Sequence, residues 1–257
     1  MKYFVGAVLA LLVAVVLLPV QNASARNTNN FSISLYEINY ELTRDNSNRS
    51  SLQTVETITA EFPSFNQNHG IERALPSSYD GHPTHISIDS ITNATGQNIE
   101  YSTRDENGFK TLRIGNADTY VHGTQTYILK YTQHDVTKSF GDTGRDEWYW
   151  DTNGTGWKVP INELRITATI DQSLVPSREG DPACYIGAFG ANDMCVLAQG
   201  ANEGTYSGVF NNLSAGENVT IAVGFKKGTF AGYQASLFEI LAGIWVIVAV
   251  VTAVVSV

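Results

Sequence analysis

The sequence predicts an all-β fold, an antiparallel β-sandwich, placed between two apolar terminal segments. Apolar and polar side chains alternate over short stretches, and clusters of Asn, Gly, Ser and Asp separate these stretches. No helical period runs through the middle of the chain. The 22 glycines and 12 tyrosines, beside 2 methionines and 2 cysteines, also favour a β-rich domain over a helical bundle.

The N-terminal segment has the order of features typical of a secretory signal. Lys2 precedes an almost unbroken apolar run over residues 4–20, and small residues at 23–25 precede Arg26. A basic start, an apolar stretch and a small-residue cleavage site predict a signal peptide. We therefore expect a signal peptide over residues 1–25, with cleavage between Ala25 and Arg26. The alternative is an uncleaved signal anchor.

The C-terminal segment is predicted to cross a membrane. Residues 240–257 contain no charge, and as a helix they would extend about 27 Å, close to the about 30 Å of a hydrocarbon core. Tyr233 and Phe238 lie near the outer edge, where aromatic anchors are expected. The sequence thus predicts a transmembrane helix over 237–257, with the lipid bilayer as its partner. A buried core helix is the alternative.

The sequence stops inside this apolar run, without the Lys or Arg typical of a cytoplasmic end. We expect the chain to continue beyond Val257. A removable lipid-anchor signal is the alternative, because small residues at Gly228, Ala231 and Gly232 precede the apolar tail. We expect residues 26–236 to lie on the extracytoplasmic side of the cell membrane, in a protein that crosses the membrane once in the sequence as given.

The charge excludes some partners. The chain has 16 Lys+Arg against 25 Asp+Glu, a net charge of −9. Nucleic acid and anionic lipid headgroups select basic surfaces, so neither is expected as a partner. A domain of this size buries enough surface to fold without a metal, and no cofactor is predicted.

The strand pattern is clearest at 164–170 and 219–225, where alternate residues are apolar. The first strand changes parity between Leu35 and Tyr36, which predicts a β-bulge there. Further strands are predicted at 52–62, 84–92, 109–114, 119–132, 147–151 and 205–210. Polar loops are predicted at 45–51 and 199–204.

The two cysteines enclose a short stretch with turn-forming residues. Cys184 and Cys195 flank Gly187, Gly190 and Asn192. In an exported chain such a pair most often forms a disulfide, here across a hairpin. A thiol pair for metal binding or redox chemistry is the alternative, but the spacing is wider than CxxC.

The stretch from 146 to 157 is the candidate binding site. Exposed aromatic rings beside carboxylates suit a sugar, which stacks on the rings and bonds to the acids. The plainer interpretation, which we favour, is that Trp148 and Trp150 on one face of this strand fill the core, with Tyr149 on the opposite face. No metal site is predicted. The candidate binding residues are Asp146, Glu147, Trp148, Trp150, Asp151 and Trp157.

Three stretches together resemble one family. They cover residues 68–76 (NHGIERALP), then 112–131 from Leu112-Arg113-Ile114-Gly115 onward, and then 146–161 with the motif around Asn153-Gly154-Thr155-Gly156-Trp157. Their order and spacing are similar to those in the N-terminal domain of the predicted membrane proteins called domain of unknown function 2207. The resemblance covers about residues 31–225. It implies an exported β domain tethered by a C-terminal span, and it implies no activity or catalytic residue.

We expect a protein that acts by contact. The sequence has no Gly-x-Ser-x-Gly, phosphate-loop or His-Glu-x-x-His motif. The predicted function is a binding or structural module of the cell envelope that contacts a glycan or another membrane protein. One alternative is an envelope glycoside hydrolase that uses the carboxylates of 146–151. Another is a sensor or subunit of a larger membrane complex.

Overall fold

The computed structural model describes residues 28–235 and, beyond them, residues 237, 239–241 and 245. The predicted signal peptide, with its cleavage point at Ala25 and Arg26, lies outside the described residues. The predicted span 237–257 also lies outside them, apart from the five positions named. Among the residues described, no helix has the length and apolar character needed to cross a bilayer.

The largest element is a seven-stranded sheet, with strands numbered here in chain order. Its strands are, in spatial order, β15 (Ala198–Gln199), β16 (Thr205–Leu213), β12 (Ile161–Ile170), β1 (Ser32–Arg44), β2 (Ser50–Phe62), β9 (Gly123–His134) and β6 (Ser87–Thr92). Strands β1 and β12 run parallel, with Tyr36 opposite Leu164, and all other neighbours are antiparallel. The prediction of a wholly antiparallel fold is wrong at this pair. Parallel neighbours need a crossover connection, and here the chain between β1 and β12 builds parts of three other sheets.

Three smaller sheets complete the described structure. The five-stranded sheet contains β10 (Lys138–Phe140), β11 (Arg145–Asp151), β17 (Asn218–Phe225), β13 (Ala183–Gly187) and β14 (Asp193–Met194). The three-stranded sheet contains β3 (Ile71–Pro76), β8 (Phe109–Ile114) and β7 (Tyr101–Glu106), and a two-stranded ribbon contains β4 (Ser78–Tyr79) and β5 (His82–Pro83). One turn of 3-10 helix lies at Val175–Ser177. The prediction of an all-β chain is therefore confirmed, in the form of several sheets.

The seven-stranded and five-stranded sheets share one hydrophobic core. The ring of Tyr40 on β1 packs edge-to-face against Trp148 on β11, with centroids 5.6 Å apart. Tyr36 packs in the same way against Trp157, at 5.9 Å. The Tyr40 hydroxyl donates a 2.9 Å hydrogen bond to the carbonyl of Thr152. Edge-to-face pairs add to the stabilisation from burial, and the phenol finds the partner that a buried polar group requires.

A buried ion pair joins the three-stranded sheet to the same core. Arg73 on β3 lies 2.7 Å from the Glu56 carboxylate on β2, and both side chains are almost fully buried. Tyr131 donates a 2.7 Å hydrogen bond to this carboxylate, and Arg73 also donates to the carbonyl of Asn153 at 2.9 Å. Burial alone would lower the pKa of Arg73, but the interactions with Glu56 and with the neighbouring tyrosines together more than offset this, and the pKa is raised. Arg73 therefore stays protonated, and the role of the pair is structural.

The predicted alternation is visible in the strands. Leu164, Ile166 and Ile170 of β12 are buried, as are Val219, Ile221, Val223 and Phe225 of β17. The predicted bulge is confirmed, and it lies about one residue before the predicted position Leu35–Tyr36. The β1–β2 register shifts between Ile33 and Leu35. The bulge lets apolar residues of both parities face one core.

The disulfide prediction is confirmed. Cys184 on β13 and Cys195, just after β14, are bonded, with Cα atoms 4.9 Å apart. Tyr185 pairs with Met194 across the hairpin that the bond closes. The bond therefore holds the edge of the five-stranded sheet.

Candidate functional site

Strand β11 divides the predicted site residues between two faces. Asp146, Trp148 and Trp150 point inward and are buried, whereas Tyr149 and Asp151 are exposed and Glu147 is half-buried. This division follows from the two-residue period of a strand. The inward residues form part of the shared core, so only the outward ones can meet a ligand.

The three tryptophans of this stretch do not offer stacking surfaces. Trp148, Trp150 and Trp157 are all members of the hydrophobic core. Asp146 is also buried, and one of its carboxylate oxygens accepts a 3.1 Å hydrogen bond from the backbone NH of Phe230. The structure thus places four of the six candidate residues in packing roles and brings Glu147 and Asp151 to the surface.

The aromatic rings on the exposed side are tyrosines and a phenylalanine. Tyr149 lies 6.5 Å from Tyr185 on β13 and 6.4 Å from Phe140 on β10, measured between ring centroids. We call the face that bears these rings the outer face of the five-stranded sheet. Sequence reasoning missed Tyr185 and Phe140. Tyr185 adjoins buried Cys184, so strand alternation could have indicated that it faces outward.

A chain of hydrogen bonds positions the carboxylate of Asp151 on this face. The Asn218 amide donates to the Thr220 hydroxyl at 3.0 Å, and Thr220 donates to Asp151 at 2.6 Å. These three residues, Tyr149 and Tyr185 line a cavity of about 190 Å³. Because Asn218 and Thr220 are buried, the acceptor at the cavity mouth is held in place.

The phenol of Tyr149 remains a hydrogen-bond donor at neutral pH. Partial burial, followed by the charge of Asp151, raises the pKa of Tyr149 above its usual value. The outer face therefore offers rings, a phenol donor and a carboxylate acceptor. This combination suits a polyhydroxylated ligand, which has apolar CH faces and hydroxyls that donate and accept.

The exposed carboxylates lie well apart along the strand. Glu147 and Asp151 are four residues apart on β11, so their Cα atoms are about 13 Å apart in an extended strand. The two carboxyl groups of a glycoside hydrolase lie about 5–9.5 Å apart. Glu147 also accepts a 2.8 Å hydrogen bond from Thr143.

A second cavity lies where the three motif stretches meet. It has a volume of about 390 Å³ and is lined by residues 68–72 of the first stretch, Arg113 and Ile114 of the second, and Gly156 and Trp157 of the third. Sequence reasoning singled out the stretches and did not predict that they converge. The convergence requires β3 and β8 to pair and the loop before β12 to fold against them.

Two glycines permit that pairing. Gly70 and Gly115 have φ angles of 137° and 127°, in a region that side chains rarely adopt. A Cβ at Gly70 would overlap the carbonyl of Ile114, and a Cβ at Gly115 would overlap that of His69. The two backbones approach closely at the start of the three-stranded sheet, which forms one wall of the cavity.

The opposite wall is the loop that begins at Thr152. Asn153 is fully buried, and its amide donates to the Glu217 carbonyl at 2.8 Å and accepts from the Val219 NH at 2.9 Å. The carbonyl of Trp157 accepts a 2.8 Å hydrogen bond from the Gly216 NH. The loop is therefore fixed to β17 and to the turn before it.

These features define an all-β domain whose two cavities described above, of about 390 and 190 Å³, have no assigned chemistry. The chain belongs to the family described as predicted membrane protein (DUF2207) N-terminal domain, whose model matches residues 32–225. The resemblance stated from the motifs is thereby confirmed. The protein is accordingly a membrane-protein domain of unknown function.

Distant similarities to solved structures are found. Leukotriene A4 hydrolase from Saccharomyces cerevisiae has a TM-score of 0.46 and 12% identity over 80% of this chain and 32% of its own. An M1 zinc metallopeptidase from Deinococcus radiodurans has a TM-score of 0.37 and 13% identity over 76% of this chain and 42% of its own. This chain thus spans less than half the length of either protein. No curated protein matches it.

Proposed function

We propose that the protein is an extracytoplasmic binding module held at the cell membrane, and that its outer face binds an envelope glycan. The observation that carries this proposal is the placement of Tyr149 and Tyr185 beside the hydrogen-bonded carboxylate of Asp151. The rings would stack on the CH faces of sugar units. The carboxylate and the Tyr149 phenol would bond to sugar hydroxyls.

The membrane topology is part of the proposal. Residues 1–25 would direct export, residues 26–236 would lie outside the cytoplasm, and residues 237–257 would cross the bilayer. The Cys184–Cys195 disulfide supports this arrangement, because structural disulfides persist in oxidising compartments. Deletion of 240–257 is expected to release the protein into the medium. Continued membrane retention would contradict the anchor.

A glycan array probed with the full-length protein tests the ligand class. We expect binding to a subset of envelope polysaccharides and loss of that binding in Tyr149→Ala. Tyr101→Ala is the matched control, because Tyr101 lies on β7 of another sheet and both side chains are 40% exposed. Absence of binding to every glycan, or equal loss in both variants, would refute the proposal.

Contact with another envelope protein is a second candidate, and a separate observation favours it. The disulfide-closed hairpin exposes Phe189 at 89%, Met194 at 80% and Val196 at 83%. Apolar side chains grouped at one edge often mark a protein contact. Crosslinking from position 189 in intact cells is expected to capture one partner, and a crosslinking pattern unchanged from that of position 101 would contradict this candidate.

A further inference from the structure

The cavity formed by the three motif stretches lies in a different sheet from the outer face and has a different chemistry. Its apolar part is formed by Ile71, Ile114, Val159 and Trp157, all buried. Exposed charged residues surround this part: Arg113, Lys158 and Glu72. With a volume of about 390 Å³, the cavity falls within the about 300–1,000 Å³ typical of sites for small ligands.

The two cations have no partner within the described part of the chain. Neither Arg113 nor Lys158 forms an ion pair or a side-chain hydrogen bond there. Arg113 lies directly opposite Glu72 in the β3–β8 register, yet the two side chains form no salt bridge. In a chain with a net charge of −9, one cavity thus presents two uncommitted cations and one carboxylate. Its local charge has the sign opposite to that of the whole protein.

Two buried polar atoms of cavity-lining residues also lack partners. Asn68 and Trp157 are 4% and 6% exposed, and Asn68 Oδ1 and Trp157 Nε1 have no hydrogen-bond partner among the described residues. The Asn68 amide nitrogen is already committed, because it donates a 2.6 Å hydrogen bond to the Thr28 carbonyl. Buried polar groups normally find partners, so each of these two atoms leaves hydrogen-bonding capacity unused in a residue that lines the cavity.

We propose that this cavity binds a small anionic ligand, a sugar or similar polar body that bears one phosphoryl or carboxylate group. Arg113 and Lys158 hold the anionic group from opposite walls, β8 and the loop before β12. The body of the ligand lies against Trp157 and the adjoining apolar residues. Glu72 lowers the affinity for the anion and accepts hydrogen bonds from ligand hydroxyls.

The experiment measures binding of three probes to the full-length protein in detergent, by calorimetry and by tryptophan fluorescence. Glucose 1-phosphate, glucuronate and glucose share a sugar body and differ in charge. We expect one or both anionic probes to bind and glucose not to bind, and the preferred anion identifies the phosphoryl or carboxylate source. Equal binding of glucose, or no binding of any probe, would overturn the proposal.

Three variants change the charge of the cavity, and each should shift the affinity for the anionic probe in the direction that a charge-based site requires. Arg113→Gln and Lys158→Gln are each expected to lower the affinity for the anionic probe about tenfold, since a charge-assisted hydrogen bond is lost. Glu72→Gln is expected to strengthen it several-fold, because a like charge is removed. Arg165→Gln is the control, since this exposed arginine on β12 pairs with Glu37 and Glu163.

The directions of these affinity changes distinguish a specific site from a general effect of the protein's net charge on anion binding. Arg113→Gln and Arg165→Gln change the net charge equally, so equal effects on affinity would overturn the proposal. So would weaker anion binding in Glu72→Gln. The side chains of Arg113, Lys158 and Glu72 are exposed, so the folded state is retained, and unchanged near-UV circular dichroism verifies this.

Discussion

Substitution of Arg73 by methionine should destabilise the protein severely. Arg73→Met keeps a long apolar side chain but leaves the Glu56 carboxylate buried without its cation. Removing one partner of a buried ion pair costs about 3–5 kcal/mol, because the remaining charge is uncompensated. The carbonyls of Ala74 and Asn153 each lose a donor as well. We expect a loss at the upper end of that range.

A double variant separates the stability contribution of the Glu56–Arg73 ion pair from that of the hydrogen bonds around it. Glu56→Leu together with Arg73→Met removes both charges, so the destabilisation should be smaller than the sum for the two single variants. A loss of about 1–3 kcal/mol should remain, because the two carbonyls and the Tyr131 hydroxyl still lack partners.

Urea unfolding of the full-length protein in detergent measures these changes. Trp148, Trp150 and Trp157 are buried in the same core, so their fluorescence reports its opening. Arg165→Met, at an exposed ion pair, should hardly move the midpoint. A loss below about 1 kcal/mol for Arg73→Met, or additive single variants, would refute the account of this pair as a buried structural link.

Three further predictions concern stability. Replacing Cys184 and Cys195 by serine should cost about 3 kcal/mol, measured by urea unfolding, since the bond closes a loop with a sequence separation of 11; a change below about 1 kcal/mol would contradict this. Burial raises the pKa of Tyr36 and Tyr131 well above the value of about 10 in the unfolded chain. The free energy of unfolding should therefore be unaffected below about pH 10. Above that pH it should fall by about 1.4 kcal/mol per pH unit for each phenol. Phenolate absorbance should then rise together with unfolding, and gradual titration of the folded protein would argue against it. Gly115→Ala should lower the free energy of unfolding by at least about 2 kcal/mol, because the φ of 127° and the facing His69 carbonyl both exclude a Cβ. An unchanged thermal midpoint would contradict this and show that the three-stranded sheet shifts to make room.

Periodicity predicted long strands even where one core position is charged, as Glu56 is in β2. Strand β8 has the predicted bounds, 109–114, and the strands β12 and β17 show the expected alternation. Strand β3 was missed because Arg73 occupies the central position of its buried face, between Ile71 and Leu75. A charge at that position breaks the apolar pattern, and only the distant Glu56 makes it tolerable.

Other features depend on contacts that local patterns do not encode. Strand β7 has no buried residue, so it lacks any alternation of burial. The parallel pairing of β1 with β12 joins Tyr36 to Leu164, far apart in the sequence. Strand parity did predict that Trp148 and Trp150 face one way and Tyr149 the other. The interpretation that the tryptophan face fills the core agrees with the structure, so the exposed rings of the candidate site are tyrosines and not tryptophans.

The most direct test of the central claim is a calorimetric titration of the full-length protein with an oligosaccharide of the glycan class that binds on the array. We predict measurable affinity for the unmodified protein and about two- to tenfold weaker binding for both Tyr149→Ala and Tyr185→Ala, since a stacking contact with an aromatic ring is worth about 0.5–1.5 kcal/mol. Tyr101→Ala should bind as the unmodified protein does. Unchanged affinity in the Tyr149 and Tyr185 variants would contradict the claim that the outer face is the binding surface.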